Sequence, residues 1–471
     1  MKEIKSSGAT ALRDLTRGPV QAHLLKLATP IAAGMVFQTL YYIVDLYFVA
    51  RIGETAIAGV SEAGNIVYLV MALTQMTAVG TLALLSHAVG ARDMARANLV
   101  FNQSAAIALG FALFTIAAGY SCMGFYMGAV GAGAQSIRAG IIYLSWYLPG
   151  LALQFVITAM GAALRATGVV RPGMIVQAVS LTLNIILAPI LIGGWLTGHA
   201  FGVAGAGLAS TAAVATGALL MAVYFVRYER AVTFSPALWR PDFAIWRKLV
   251  LIGFPAGGEI AFIFIYTAIV FALIRPFGDA AQAGFGLGTR LTQAIFMPGL
   301  AIAFAAAPIA GQNFGAGQAA RVKATLRAAL GYCTIVMLSL TLVCQIEPER
   351  LVRIFTAEPR VLTQGIVYLR IVSWNFVATG IVLSCSALFT ALGNTWPALV
   401  STSSRLLTFM LPAYIVSTLP QFRIEDIWYL SVATVALQAV TSLGLLAREF
   451  RLRLPQTEPD ALAVLHVTEP S

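Results

Sequence analysis

Residues 28–53 read ATPIAAGMVFQTLYYIVDLYFVARIG. From Pro30 to Ala50 the only charged side chain is Asp45. About 20 helical residues cross about 30 Å of hydrocarbon, so this run is long enough to span a bilayer. Runs of the same kind recur at roughly 56–85, 99–122, 140–163, 172–195, 205–227, 249–274, 281–309, 325–345, 362–390, 397–419 and 426–447, which with 25–50 makes twelve. A backbone in lipid must satisfy its own hydrogen bonds, and the strands of a closed barrel would be much shorter, so these spans read as helices. Composition agrees: 59% of residues are hydrophobic, 10% are charged and the mean hydropathy is +0.84. A soluble domain carries about a quarter charged residues.

The formal net charge of +11 invites a nucleic-acid reading. Topology explains it better. With the N-terminus in the cytoplasm, twenty of the thirty Lys and Arg fall in inside loops and tails, seven fall outside, and Arg290, Arg370 and Arg405 lie within spans. That is the positive-inside bias, and it places both termini in the cytoplasm. The first twenty-odd residues are polar and read as a tail rather than a signal peptide. Cys122, Cys333, Cys344 and Cys385 show no CxxC or His pairing and read as small packing residues. Neither a GxxxxGK[ST] loop nor HExxH is present, and GFGLG (284–288) reads as helix packing. An ATP-driven pump and a membrane enzyme are thereby disfavoured, and no cofactor is expected.

The chain is also written twice. Shifted by 225 residues, Pro30 meets Pro255, Phe37 meets Phe262 and Tyr41 meets Tyr266. GARDMAR (90–96) lies over GAGQAAR (315–321), and GIIYL (140–144) over GIVYL (365–369). Six spans per copy return the chain to its starting side, so the repeats are parallel, related by a pseudo-two-fold axis along the membrane normal. The expected fold is an all-α integral membrane protein, twelve helices in two parallel six-helix repeats. Its expected parts are an N-tail (1–24), an N-lobe (25–227), a linker (228–248), a C-lobe (249–447) and a C-tail (448–471).

The motifs ATPIAAGMVFQTLYYIVDLYFVARIGETAIAGVS, GFPAGGE, FGDAAQAGFGLGTR and APIAGQNFGAG resemble the multidrug and toxic compound extrusion family over about residues 15–450. The resemblance implies that the two repeats form a V-shaped, two-lobed transporter, a secondary antiporter that exports amphipathic, often cationic compounds in exchange for H⁺ or Na⁺. It implies an ion-responsive acid at Asp45, joined by Tyr143 on helix four and Asn184 on helix five. The family's second helix-five acid is replaced by Ala188. In the C-lobe, Ile263 stands where one branch carries an acid, and Glu259 lies four residues after Pro255 instead. The helix-ten acid of that branch is absent from 362–390. A small-molecule cargo, lipid neighbours, a monomer in the inner membrane and no nucleic acid complete the expectation.

Spacing supports a site at Asp45. Gln38, Tyr41, Tyr42 and Asp45 fall at i, i+3, i+4 and i+7 on one helix face. An Asp at the centre of a span costs about 2.5–3.5 kcal/mol on insertion scales, which directs it toward the lobe interior or a cavity. Its protonation can then respond to a proton gradient; the plainer alternative is a structural carboxylate bonded to Asn184 and Tyr143. On helix seven Glu259 and Tyr266 form a similar stripe, with Glu259 open either to cargo or to Arg290 as an ion-pair partner. Trp374 and Asn375 are candidate cavity residues, with interior packing as the alternative. A rival function, export or flipping of a lipid-linked or anionic metabolite, would draw on Arg290, Arg370 and Arg405.

Overall fold

The computed structural model describes residues 14–454 other than 132, 197 and 357. Parts of the expected tails, residues 1–13 and 455–471, lie outside the described residues. The helices are α1 (Val20–Ala50), α2 (Glu54–Gly90), α3 (Met94–Val130), α4 (Ala134–Ala166), α5 (Arg171–Gly193), α6 (Gly202–Arg227), α7 (Phe243–Ile274), α8 (Asp279–Gly315), α9 (Ala319–Ile346), α10 (Pro348–Arg353), α11 (Pro359–Val372), α12 (Asn375–Leu392), α13 (Trp396–Ser417) and α14 (Ile424–Arg453). Twelve of the described helices are long and apolar enough to cross a membrane; α10 and α11 are the two that are not. The starts of α3 and α7 are capped in the same way. Asp93 accepts from the Arg96 amide, and Asp242 from the amides of Ala244 and Ile245.

One expected span is broken. The run 362–390 divides into α11 and α12 around Ser373 and Trp374. The break survives in an apolar setting because α9 supplies the missing partners: Thr341 donates to the Ser373 carbonyl (3.0 Å) and Gln345 to the Arg370 carbonyl (2.6 Å). At the matching place in the first repeat, 225 residues earlier, α4 carries Pro149 inside an unbroken helix. The sequence pattern missed the break because no proline or glycine marks it. The short α10 precedes the broken span, between α9 and α11.

The two lobes meet where α2 packs on α7 and α8 and where α1 packs on α8, with their closest backbone approach on the membrane face that holds both ends of the described chain. Small residues let backbones touch there. A Cβ on Gly80 would overlap the Leu249 carbonyl of α7, and one on Gly253 would overlap the Met76 carbonyl. On α8 the pattern is reciprocal. Gly90 packs on the Gln312 carbonyl and Gly315 on the His87 carbonyl, and these two pairs exchange under the 225-residue repeat. The same symmetry relates two cross-lobe hydrogen bonds. His87 Nε2 donates to the Ala391 carbonyl (2.6 Å), and Gln312 Nε2 donates to the Ala166 carbonyl (2.7 Å).

Each lobe also holds the approach to the other's first helix. Leu15, before α1, is fully buried; its amide donates to Gln312 Oε1 (3.0 Å), and its carbonyl accepts from Asn313 (3.2 Å) and Arg321 (3.1 Å). Asp14 beside it pairs with Arg17 and Arg92. The Thr16 hydroxyl, with these arginines, holds the Asp14 carboxyl below the usual carboxylate range, so its contribution is present at neutral pH and lost in strong acid. On the approach to α7, Gln103 of α3 donates to the carbonyls of Leu238 and Arg240, both 2.7 Å, and accepts from the Asp242 amide (3.0 Å) and Trp246 Nε1 (2.7 Å). Neighbouring Asn102 accepts from the Ser235 amide (2.9 Å) and Trp239 Nε1 (3.0 Å). The connection between α6 and α7 is therefore fastened to α3 rather than slack.

The closed seam is directly testable. A Cβ on Gly257 would stand 3.8 Å from Cβ of Met76, a separation that suits a disulfide. The M76C/G257C variant, in a C122S background, is expected to cross-link on mild oxidation, read as a mobility shift reversed by dithiothreitol. Adding Gly253→Leu should cut the cross-linked yield at least fivefold by holding α2 and α7 apart.

Candidate functional site

Asp45 sits five residues before the end of α1, about 8 Å along the helix from the face opposite the sealed one. Its carboxyl turns into the N-lobe, where Ser210 of α6 donates to Oδ1 at 2.9 Å. The Tyr41 hydroxyl reaches the Ser210 carbonyl at 3.4 Å, so α1 holds this residue through both its side chain and its backbone. Asn184 of α5 lies alongside the carboxyl and is fully buried, yet both its amide atoms lack a well-formed hydrogen bond. Tyr143 and Tyr147 of α4 complete the surroundings, both buried, with ring centroids 5.1 Å apart. Ala188, one turn beyond Asn184, is fully buried and leaves no second acid there.

The structure thus gathers Asp45, Asn184, Tyr143 and Tyr41 at one place. Gln38 and Tyr42 belong to its edge: both are exposed, and they lie beside each other. The direct partner of the carboxyl, Ser210, is one that sequence reasoning passed over. The signal was present in the pair Ser210–Thr211 within an Ala- and Gly-rich helix, but hydroxyls in such helices usually bond to their own backbone. Thr216 on the same helix does so, donating to the Ala212 carbonyl.

The C-lobe candidates divide into two groups. Glu259, one turn past Pro255, faces the Ser386 hydroxyl of α12. Arg290 is exposed on α8, and no ion pair joins it to Glu259 among the described residues. Further into the lobe, the Tyr266 hydroxyl donates to Ser431 Oγ of α14 (3.0 Å), and Asn375 Nδ2 donates to the same oxygen (3.3 Å). The Arg405 guanidinium of α13 lies over the Tyr266 ring, 4.6 Å from its centroid. Trp374, next to the buried Asn375, points away and is 62% exposed.

Two parallel six-helix lobes, sealed on one face and carrying a partly buried acid near the other, define a membrane transporter rather than an enzyme. The MatE family pattern matches residues 30–190 and again 255–415, the same 225-residue shift, and the chain belongs to that family. An FAD transporter from Shewanella oneidensis is 23% identical over 84% of this chain and 88% of its own length. A probable multidrug resistance protein, NorM, from Thermotoga maritima is 24% identical over 90% and 91%. An outward-facing multidrug resistance MATE transporter of the MOP superfamily superposes with a TM-score of 0.88 at 22% identity, covering 95% of this chain and all of that one.

A hydrogen bond to a charged group contributes about 1.5–3 kcal/mol. Removing the Ser210 hydroxyl is therefore expected to slow ion-driven transport on the order of tenfold, and Ser210→Thr to retain most of it. Initial rates of dye efflux from proteoliposomes at matched protein content would measure both.

Proposed function

We propose that this protein exports amphipathic, chiefly cationic small molecules across the inner membrane in exchange for H⁺, with Asp45 as the coupling group. The observation that carries the reading is the Asp45 carboxyl in the N-lobe interior, held by Ser210 and flanked by Asn184 and Tyr143, without a basic partner among the described residues. An acid without a counter-ion in that setting is a group that a proton can switch. Both termini are assigned to the cytoplasm, so the glycine-lined seam closes the inner side and Asp45 lies toward the outside.

In the proposed cycle, cargo enters with the inner side open and Asp45 charged. Closing the inner seam opens the outer side, and a proton reaches Asp45 from there. The neutral carboxyl no longer holds Ser210 and Asn184 as a carboxylate does, α1 shifts, and cargo leaves. One charge moving through the whole membrane contributes about 2.3 kcal/mol per 100 mV, with the pH gradient in addition. Gln38, Tyr41, Tyr42 and Glu259 are assigned to the cargo path, and the protein is taken to work as a monomer. The Shewanella relative's description as an FAD transporter supports a second reading, in which an anionic metabolite is carried on the same framework.

Efflux of ethidium from proteoliposomes, driven separately by a pH or a sodium gradient, tests the coupling. The wild type should respond to the pH gradient, and Asp45→Asn should lose at least nine-tenths of that response. Undiminished transport by Asp45→Asn would sink the mechanism, and a response to sodium alone would reassign the ion.

A further inference from the structure

The two repeats place equivalent tyrosines around opposite charges. In the N-lobe, Tyr41 and Tyr143 stand by the acid Asp45. Their counterparts 225 residues later, Tyr266 and Tyr368, stand by a base, Arg405. The charges themselves do not correspond. Val270, fully buried, replaces Asp45 in the second copy, and Ser180, donating to the Ala213 carbonyl, stands where Arg405 would fall in the first.

Arg405 is the tenth residue of the 22-residue α13, too central to reach either membrane surface. No Asp or Glu pairs with it among the described residues. Its Nε is buried without a hydrogen-bond partner, while the side chain as a whole stays partly accessible. A second buried donor without a hydrogen-bond partner, Nε1 of Trp428, belongs to a ring that packs edge-on to Tyr368, with centroids 4.9 Å apart. Asn375 and Tyr266 add polar groups through their shared contact with Ser431. An unpaired guanidinium in hydrocarbon is expensive to keep, and a rigid planar fork of donors suits an oxyanion.

We infer that the C-lobe interior is an oxyanion site built on Arg405, with Trp428 as a second donor, taking a carboxylate or phosphate group carried by the exported molecule. The site rests on reading the chain as an exporter, but not on which ion drives it. Cargo with an acidic group would be gripped in the C-lobe while the coupling ion acts in the N-lobe, so one molecule could engage both lobes at once. The rings of Tyr266 and Phe409, and those of Phe285, Tyr368 and Trp428, pack on one another as C-lobe core beside the Arg405 guanidinium.

Riboflavin and its 5′-phosphate, FMN, share one ring system and differ by a phosphate, and both fluoresce. Binding of each to the full-length protein in nanodiscs, without any gradient, should favour FMN at least tenfold. Arg405→Gln should bring that ratio below threefold, and Arg405→Lys should keep part of it. Should Arg405→Gln fail to fold, the wild-type ratio and the lysine variant still decide. Equal affinity for the two flavins in the wild type overturns the site, as does an undiminished preference in Arg405→Gln. Inorganic phosphate that competes with FMN no better than sulfate at equal ionic strength supports a site for a tethered group. Phosphate binding that depends on Arg405 without any preference for FMN assigns it to a free anion and overturns the cargo role. Asp45→Asn should retain the FMN preference, so loss of coupled transport and loss of the anion site are read separately.

Discussion

Everything in this architecture depends on how closely α2 approaches α7 and α8. Hydrocarbon provides little hydrophobic drive between helices, so association relies on packing and on hydrogen bonds made at short range. Glycines at 80, 90, 253 and 315 remove the side chains that would keep the backbones apart. Once the backbones meet, His87 and Gln312 can reach carbonyls in the opposite lobe. The contact is strong because it is close, and its closeness rests on atoms that are missing.

Duplication gives the molecule a matched scaffold, and divergence gives the lobes different chemistry. At the seam, Gly90 and Gly315 keep reciprocal partners across the repeat, as do His87 and Gln312. Charged positions did not. An acid persists only in the first copy beside Tyr41 and Tyr143, and a base only in the second beside Tyr266 and Tyr368. Each is costly in lipid, so neither persists cheaply without use.

Periodicity and length made the twelve spans legible, because a long apolar run has few alternatives. The repeat register was legible too, through prolines and tyrosines that keep one spacing. Asp45, Asn184 and Tyr143 came from motif resemblance, and they converge in space. What stayed hidden depended on contacts between distant segments. Ser210 looks like any hydroxyl in a small-residue helix until α1 is laid against it. The break at Ser373 carries no local signature, since Thr341 and Gln345 on another helix make it tolerable. GQNFGAGQAARV could be noticed as a motif, but its work in holding Leu15 requires the fold.

That exchange of grips has a mechanical consequence. The segment before α1 is tied to α8 and α9, and the start of α7 is tied to α3, so the first helix of each half begins in the other half's territory. Neither lobe can rotate as a free block while those ties hold. The displacement must be taken up inside α1 and α7, and each has one proline, Pro30 and Pro255, about a third of the way along. A proline forfeits one backbone hydrogen bond and loosens the helix where it sits. Two elastic joints at equivalent depth, one per half, would make the helices flex as a pair, like the paired arms of a pantograph.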